Sequence, residues 1–514
     1  MISTKARQGT SLRFLAFLAF LALIVAPALS WGDPKKDDKK PAPPPPKPAA
    51  AAPGSAATGH PSGQPSSAQG QQHYPGGPGT GTTPNGSKPT GGPGSNFNSP
   101  RQPNPPKKPP MIVDGPRKVQ ASPTGPARKI QTVQTPGGAA TVSRRPSGGV
   151  ATIQTKGMTI THPLRGPTTV VAQRNGSTIV VTGRQGGYVQ HAYLNRNGRS
   201  YVQRTYVVGG RTYVSVYRSY SYGGYGFYGY APAYYYHPVF YGWAYNPWGA
   251  PVVYGPAAWG WAGAPWYGYY GGYFAPYPAY ASASQWLTDY LLAANLQAAY
   301  AANAEAQAAA ANGPGAPAAG DPAATASRQT QLSPEVKQMI AEEVKQQLAA
   351  AQSSATSKGA VPSGDQLPDA LNPAERIFVV SSHLDVTNKD GKECGLAPGD
   401  VVMRMTDSPD ANQLVSASVQ SSKKADCAAG QTVAIGVQDL QEMHNQFRQQ
   451  LDSGLQTLAA NAGKGGLPQA PDTTTVSGEV PAPTPDSTAA AQLANTQREA
   501  EAADHAVQQA GSGG

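Results

Sequence analysis

Between Tyr213 and Tyr300 the chain gathers six of its seven tryptophans, Trp243, Trp248, Trp259, Trp261, Trp266 and Trp286, with most of its tyrosines and almost no charge. Gly or Pro recurs every few residues, as in YGFYGYAPAYYYHPVFYGWAYNPWGAPVVYGPAAWGWAGAPWYGYYGG. That spacing excludes a long helix or an ordinary central strand, because Pro removes a backbone donor and Gly contributes nothing to pack. Leu, Ile and Val are scarce there, so any close packing must come from rings. Tyr and Trp each offer a broad apolar face and one polar handle, which suits a surface half wet and half dry. The stretch is therefore an irregular wrap over its neighbours, an exposed adhesive surface, or a disordered spacer. If it is a contact surface, the residues expected to form it are Tyr217, Tyr235, Trp243, Tyr245, Trp248, Trp261 and Trp266, with the cations Arg204, Arg211 and Arg218.

Upstream the pattern is β-type. Short runs such as VATIQT, MTITH, TTVVAQ, STIVVTG, RSYVQRTYVV and RTYVSVYRSY are separated by Asn175-Gly176, Asn197-Gly198 and Gly209-Gly210. These pairs accept the positive φ angles of two-residue hairpin turns, so the region reads as an antiparallel meander. Tyr201, Gln203 and Thr205 alternate onto one face, while Val202, Arg204 and Tyr206 take the other. Downstream, Ser284 is expected to cap a helix from Gln285. Ser333-Pro334-Glu335 is a second helix start, and Val336, Ile340, Val344 and Leu348 then form one apolar seam. A lone helix of that length is marginal, so it must dock or self-associate.

Residues 372–460 read as a small α+β domain, with short strands followed by a long helix carrying Leu440, Met443, Phe447, Leu451, Leu455 and Leu458 inward. The two cysteines of the chain, Cys394 and Cys427, both lie within it. In an exported protein they would most simply form one disulfide; two buried thiols are the alternative.

Export is itself an expectation. Lys5, Arg7 and Arg13 precede the apolar run Phe14–Leu29 and the small-residue site at Ser30, the order of a cleaved secretory signal. No other segment is apolar enough to span a bilayer, so none is expected once the signal is removed. The 59 glycines and 51 prolines mean that much of the chain cannot bury a core. The expected layout is a signal at 1–30 and a disordered linker at 31–138. A β meander with the aromatic stretch and its closing helix follows at 139–300, then a linker at 301–331 and an amphipathic helix at 332–352. The small disulfide-closed domain at 372–460 and a disordered tail at 461–514 complete it. The fold class is thus mainly β with helical segments, joined by long linkers.

The net charge of +11 is uneven, with Asp114 the single acid between Arg101 and Arg218, while acids dominate beyond Glu335. The basic part could meet an anionic polymer, and export argues against nucleic acid. The eight histidines are scattered without metal-ligand spacing, and the aromatic region almost lacks acids. No cofactor, metal or catalytic residue is expected.

Two resemblances add to this. Leu396-Ala-Pro-Gly-Asp-Val401 resembles the LxPGDxI turn of PDZ-like and small β-barrel modules. No Gly-Leu-Gly-Phe loop precedes it and the terminal helix is misplaced for a PDZ domain, so the likeness implies a shared tight turn and no peptide groove. The motifs YGWAYNPW, WLTDYL and PEVKxxIAxEVKxQL, in that order between Tyr188 and Leu458, resemble secreted bacterial proteins of the same layout. That resemblance implies location and architecture and carries no activity. The expected function is that of a non-enzymatic envelope protein of the periplasm or cell surface. It would bind or scaffold glycan, anionic polymer or another envelope protein through the basic, Tyr/Trp-rich β region. The alternative is a peptide-binding or sensory C-terminal module on a long spacer, with a hydrolase as a third reading.

Overall fold

Asn175 and Gly176 take φ angles of 49° and 79°, and Asn197 and Gly198 take 51° and 74°. Both central residues of each turn are thus left-handed, the geometry that returns a strand alongside its predecessor. Repetition of such hairpins builds one antiparallel sheet in which ten strands follow chain order, β1-β2-β3-β4-β5-β6-β7-β8-β9-β10. The first six are β1 (Lys129–Thr135), β2 (Gly138–Arg144), β3 (Val150–Thr155), β4 (Met158–Thr161), β5 (Thr169–Arg174) and β6 (Ser177–Thr182). The last four are β7 (Gly186–Arg196), β8 (Arg199–Val208), β9 (Arg211–Tyr222) and β10 (Tyr225–Ala231). The structure is a computed structural model that describes residues 129–183, 186–311, 330–357, 366–423 and 426–512, all within a unit spanning Pro110–Gly514. The expected signal and nearly all of the expected linker at 31–138 lie outside the described residues. The end of that linker is instead strand β1, paired residue for residue with β2 from Lys129↔Arg144 to Thr135↔Gly138.

Alternation gives the sheet two distinct faces. Val142, Ile153, Ile160, Val170, Ile179, Val181 and Val189 all point to one of them. Their cover is a helix from the segment expected to be a disordered tail. Helix α6 (Ala489–Ser512) lays Ala489, Leu493, Ala500, Ala503 and Val507 on these side chains. The tail is ordered further upstream as well, since β20 (Thr475–Ser477) pairs with β11 (Tyr234–Tyr236). An Ala-rich stripe buries little area per residue, which is why its pattern is faint in sequence, but a sheet face of β-branched residues accepts small side chains closely.

The aromatic stretch is packed. It forms α1 (Pro238–Tyr245), the pair β12 (Pro247–Val252) and β13 (Tyr280–Ser282), α2 (Pro265–Tyr270) and the start of α3 (Ala283–Ala311). Phe240, Tyr241, Tyr270, Tyr273, Phe274, Tyr280 and Trp286 are almost wholly buried. The indoles of Trp261 and Trp259 stack at 4.3 Å, and Trp259 stacks on Trp286 at another 4.3 Å. Rings here do the work that aliphatic side chains do in most cores. Helix α3 runs into the segment expected to be a linker from residue 301.

Helix α4 (Pro334–Thr356) starts as expected, with Ser333 accepting from the Val336 backbone at 3.3 Å and Pro334 in the first turn. Its seam Val336, Ile340, Val344 and Leu348 docks in the aromatic core. An ion pair of 2.7 Å between Lys337 and Asp289 ties α4 to α3.

The C-terminal sheet is six-stranded and antiparallel, in the order β14-β17-β18-β19-β15-β16. Its strands are β14 (Ile377–Val379), β15 (Leu384–Asn388), β16 (Glu393–Leu396), β17 (Val401–Arg404), β18 (Leu414–Ser421) and β19 (Thr432–Gly436). Cys394 and Cys427 are disulfide-bonded. The Leu396–Val401 turn is fixed by Gly399 at φ 88° and by Asp400, which accepts from the Ala397 backbone at 2.8 Å and pairs with Lys423 at 2.7 Å. Helix α5 (Val437–Asn461) begins directly after β19, with Asp439 in its first turn. Expected as a separate domain, residues 372–460 share cores with their neighbours. Phe447, Leu451, Leu455 and Leu458 of α5 join the aromatic core, and Tyr220 and Phe227 of the ten-stranded sheet join the core that holds the disulfide.

Candidate functional site: the Arg204 cleft

The pairing register decides which side chains meet. Arg204 stands opposite Gln190 on β7 and Ser215 on β9, while Tyr206 stands opposite Tyr188 and Tyr213. Tyr213, Ser215 and Tyr217 therefore share the face of Arg204, the face that α6 does not cover. Helix α5 crosses this face near β10, where Asn445 accepts from the Tyr230 backbone at 2.9 Å and donates to the Tyr228 carbonyl at 2.8 Å.

Arg204 is 2% exposed. Its Nε donates to Gln190 at 2.7 Å and a terminal nitrogen donates to Glu442 of α5 at 2.6 Å. Its guanidinium lies 4.1 Å from the centre of the Tyr217 ring, 4.7 Å from that of Tyr188 and 5.4 Å from that of Tyr228. Burial disfavours the charge, but Glu442 and the surrounding tyrosine oxygens hold the guanidinium protonated, well above its ordinary range. Burial pushes Tyr217 up as well, so its hydroxyl stays neutral, hydrogen-bonded to that of Tyr206 at 2.7 Å. A buried cation is tolerable only when paired and hydrogen-bonded, and here both conditions are met.

Above this floor is a cleft of about 60 Å³ between the sheet and the first turns of α5. Val171, Gln173, Thr178 and Val180 form one wall, and Gln438 and Gln441 stand across from them. Gln173 donates to Thr178 at 2.9 Å, and Gln438 to the Gly226 carbonyl at 3.1 Å. The lining is amide, hydroxyl, aromatic and methyl, with its one cation and one carboxylate bonded to each other. Such a surface can hold a polar, uncharged group; it offers no positioned nucleophile.

The expected contact residues do not form one surface. Arg204 lines the cleft, and Tyr217 is buried against its guanidinium without reaching the cleft. Arg218 points to the opposite face, paired with Glu479 at 3.3 Å, and Tyr235, Trp248, Trp261 and Trp266 are buried in the aromatic core. Trp243 is half-buried between Phe240 and Trp248. Tyr245 and Arg211 are exposed, at the end of α1 and at the first residue of β9. The adhesive-surface reading is corrected accordingly: rings so poor in aliphatic neighbours have to pack on one another. Gln173, Gln190, Tyr188, Tyr228 and Glu442 were not singled out from sequence. The strand residues share the alternation of Arg204 and could have been found once the hairpin register was drawn; nothing local marks Glu442.

A wider, open depression of about 620 Å³ lies on the other face, lined by His191, Tyr193, Gln203, Thr484 and Asp486. Tyr193 and Gln203 are spent on the Pro481 and Thr484 carbonyls at 3.3 and 3.0 Å, tying the strap before α6 to the sheet. Among the described residues no group of three or more His, Cys, Asp or Glu is placed to hold a metal ion, and no helix is long and apolar enough to cross a membrane. No family model matches the chain, and neither the curated proteins nor the solved structures contain a match.

Proposed function

We propose that this chain is an exported envelope protein that binds an envelope polymer without transforming it, on the sheet face around Arg204. The observation that carries the reading is the Arg204 floor: a cation fixed by Gln190, Glu442 and three tyrosine rings beneath an open polar cleft. That much ordering of long side chains serves recognition better than it serves stability, since a buried ion pair adds little over an apolar core. The signal-like N-terminus and the Cys394–Cys427 bridge support an oxidising, extracytoplasmic setting. The peptide-binding alternative has less support. Strand addition needs an open edge, and edge strand β16 is met by Asp426, which accepts from the Gly395 backbone at 3.1 Å, and by Arg165.

The test is co-sedimentation of the mature protein with purified insoluble cell-wall glycan at low and high salt. Retention that changes little with salt is expected, because the cation of the cleft is already compensated. Protein left in the supernatant at both salts, or release of new reducing ends from the glycan, would overturn the reading.

A further inference from the structure

The chemistry of the cleft narrows the ligand further, and the narrowing rests on the polymer-binding reading above. Three observations bear on it. First, the charge is spent: Arg204 is bonded to Glu442 at 2.6 Å, so an incoming anion would meet a neutral pair with a carboxylate in it. Second, a space of about 60 Å³ is too small for a sugar ring and large enough for one substituent, since a water needs at least about 10–15 Å³ measured in this way. Third, the wall is divided. Val171 and Val180 are cross-strand partners and present methyls, while Gln173 and Thr178, the next facing pair along the same strands, present an amide and a hydroxyl. Gln173 uses one of its two amide hydrogens on Thr178, and an amide carries two donors.

A hydroxymethyl group would waste the valines, and a carboxylate or phosphate would face Glu442. A group with a methyl at one end and an amide at the other matches both halves of the wall. We infer that the cleft receives the N-acetyl group of an amino sugar within a neutral glycan, with the sugar ring lying outside against the half-buried Tyr228 and Tyr188. The acetyl methyl rests on Val171 and Val180, and its carbonyl accepts from Gln173.

The experiment compares retention of the full mature protein on three insoluble polymers: chitin, cellulose and cross-linked alginate. Chitin and cellulose share their linkage and differ at the N-acetyl group, and alginate supplies the anionic case. Retention on chitin is expected to exceed that on cellulose and alginate. Gln173→Ala should reduce it about tenfold, the loss of one well-made hydrogen bond to the ligand, while the variant still folds, with a cooperative unfolding transition lowered only by the loss of its bonds to Thr178. Thr178→Val, which keeps shape and removes the hydroxyl, is the second variant and should weaken retention in the same direction. Equal retention on chitin and cellulose, a preference for alginate, or variants that bind chitin like the parent would overturn the N-acetyl inference. Retention on cell-wall glycan alongside any of those results would leave the polymer-binding reading standing; no retention on any of the four materials would overturn both.

Discussion

The guanidinium of Arg204 lies over the ring of Tyr217, 4.1 Å from its centre, inside a sheet whose other face is a plain layer of valines and isoleucines under α6. Under α6 that other face is a packing surface, while the Arg204 side offers polar contact. The link between them is a register in which a one-residue slip would exchange the two.

Removing the carboxylate that balances this cation should be costly. Glu442→Ala leaves Arg204 buried with no counter-charge, and breaking a pair of this kind costs on the order of 3 kcal/mol. The partial exposure of Glu442, 22% for its side chain, places the expected value at the lower end. Urea denaturation followed by circular dichroism checks it, and Glu442→Gln, which retains a hydrogen-bond acceptor, should recover part of the loss.

Stability should fall as the solution is made less acidic. Burial pushes the Glu343 carboxyl up to about 7, with Glu375 adding to the rise and Gln347 opposing it. In the unfolded chain the same carboxyl titrates near 4.5. Between those values the folded state holds more protons, so the contribution of Glu343 declines from pH 4.5 to about 7 and stays low above. His444 acts in the same direction: burial opposes its charge, but Glu375 and Asp369 hold it above 6.5, so its stabilisation is present in acid and lost as pH rises through its folded value. Urea midpoints at about pH 5 and about pH 8 should differ, and Glu343→Gln should remove on the order of 3 kcal/mol of that difference.

Much of the meander is legible from sequence because it is local. Asn175-Gly176 and Asn197-Gly198 adopt the turn that their chemistry demands, and the strands fall where alternation puts them. Ser333 and Pro334 announce α4 in the same way. The contact that makes the site is long-range and leaves no local trace: Arg204 to Glu442 spans 238 residues. The ordered tail was hidden for a related reason. The Ala-rich stripe of α6 has meaning only against the valine face that it covers. The aromatic stretch leaves packing and exposure open in sequence, since the same rings suit both, and burial of Trp248, Trp261 and Trp266 follows from ring-on-ring contacts that composition does not specify.

The stacked indoles give a direct spectroscopic handle. With Trp261, Trp259 and Trp286 stacked at 4.3 Å intervals, native emission should be blue-shifted and resistant to acrylamide. Trp286→Ala should destabilise the fold by about 3–5 kcal/mol, as expected for a truncated buried aromatic. Red-shifted, readily quenched native emission would contradict the packing.

Reduction of the disulfide should be felt beyond the C-terminal sheet. Cys394–Cys427 closes a loop with a sequence separation of 33, for which roughly 3–4 kcal/mol is expected. Tyr220 and Phe227 share the disulfide's core, and α5 reaches from the C-terminal sheet into the aromatic core. Denaturation in reductant should therefore lower the midpoints of the tryptophan and β signals together; a shift confined to one of them would show that the two parts unfold independently.

Hydrogen–deuterium exchange with soluble N-acetylated β-1,4-glycan oligomers tests the central claim most directly. Binding at the Arg204 cleft predicts added protection in residues 171–180, 188–190, 226–228 and 438–442, with the depression around His191 and Asp486 unchanged. Protection confined to that depression, or to the exposed end of α1 around Tyr245, would contradict it.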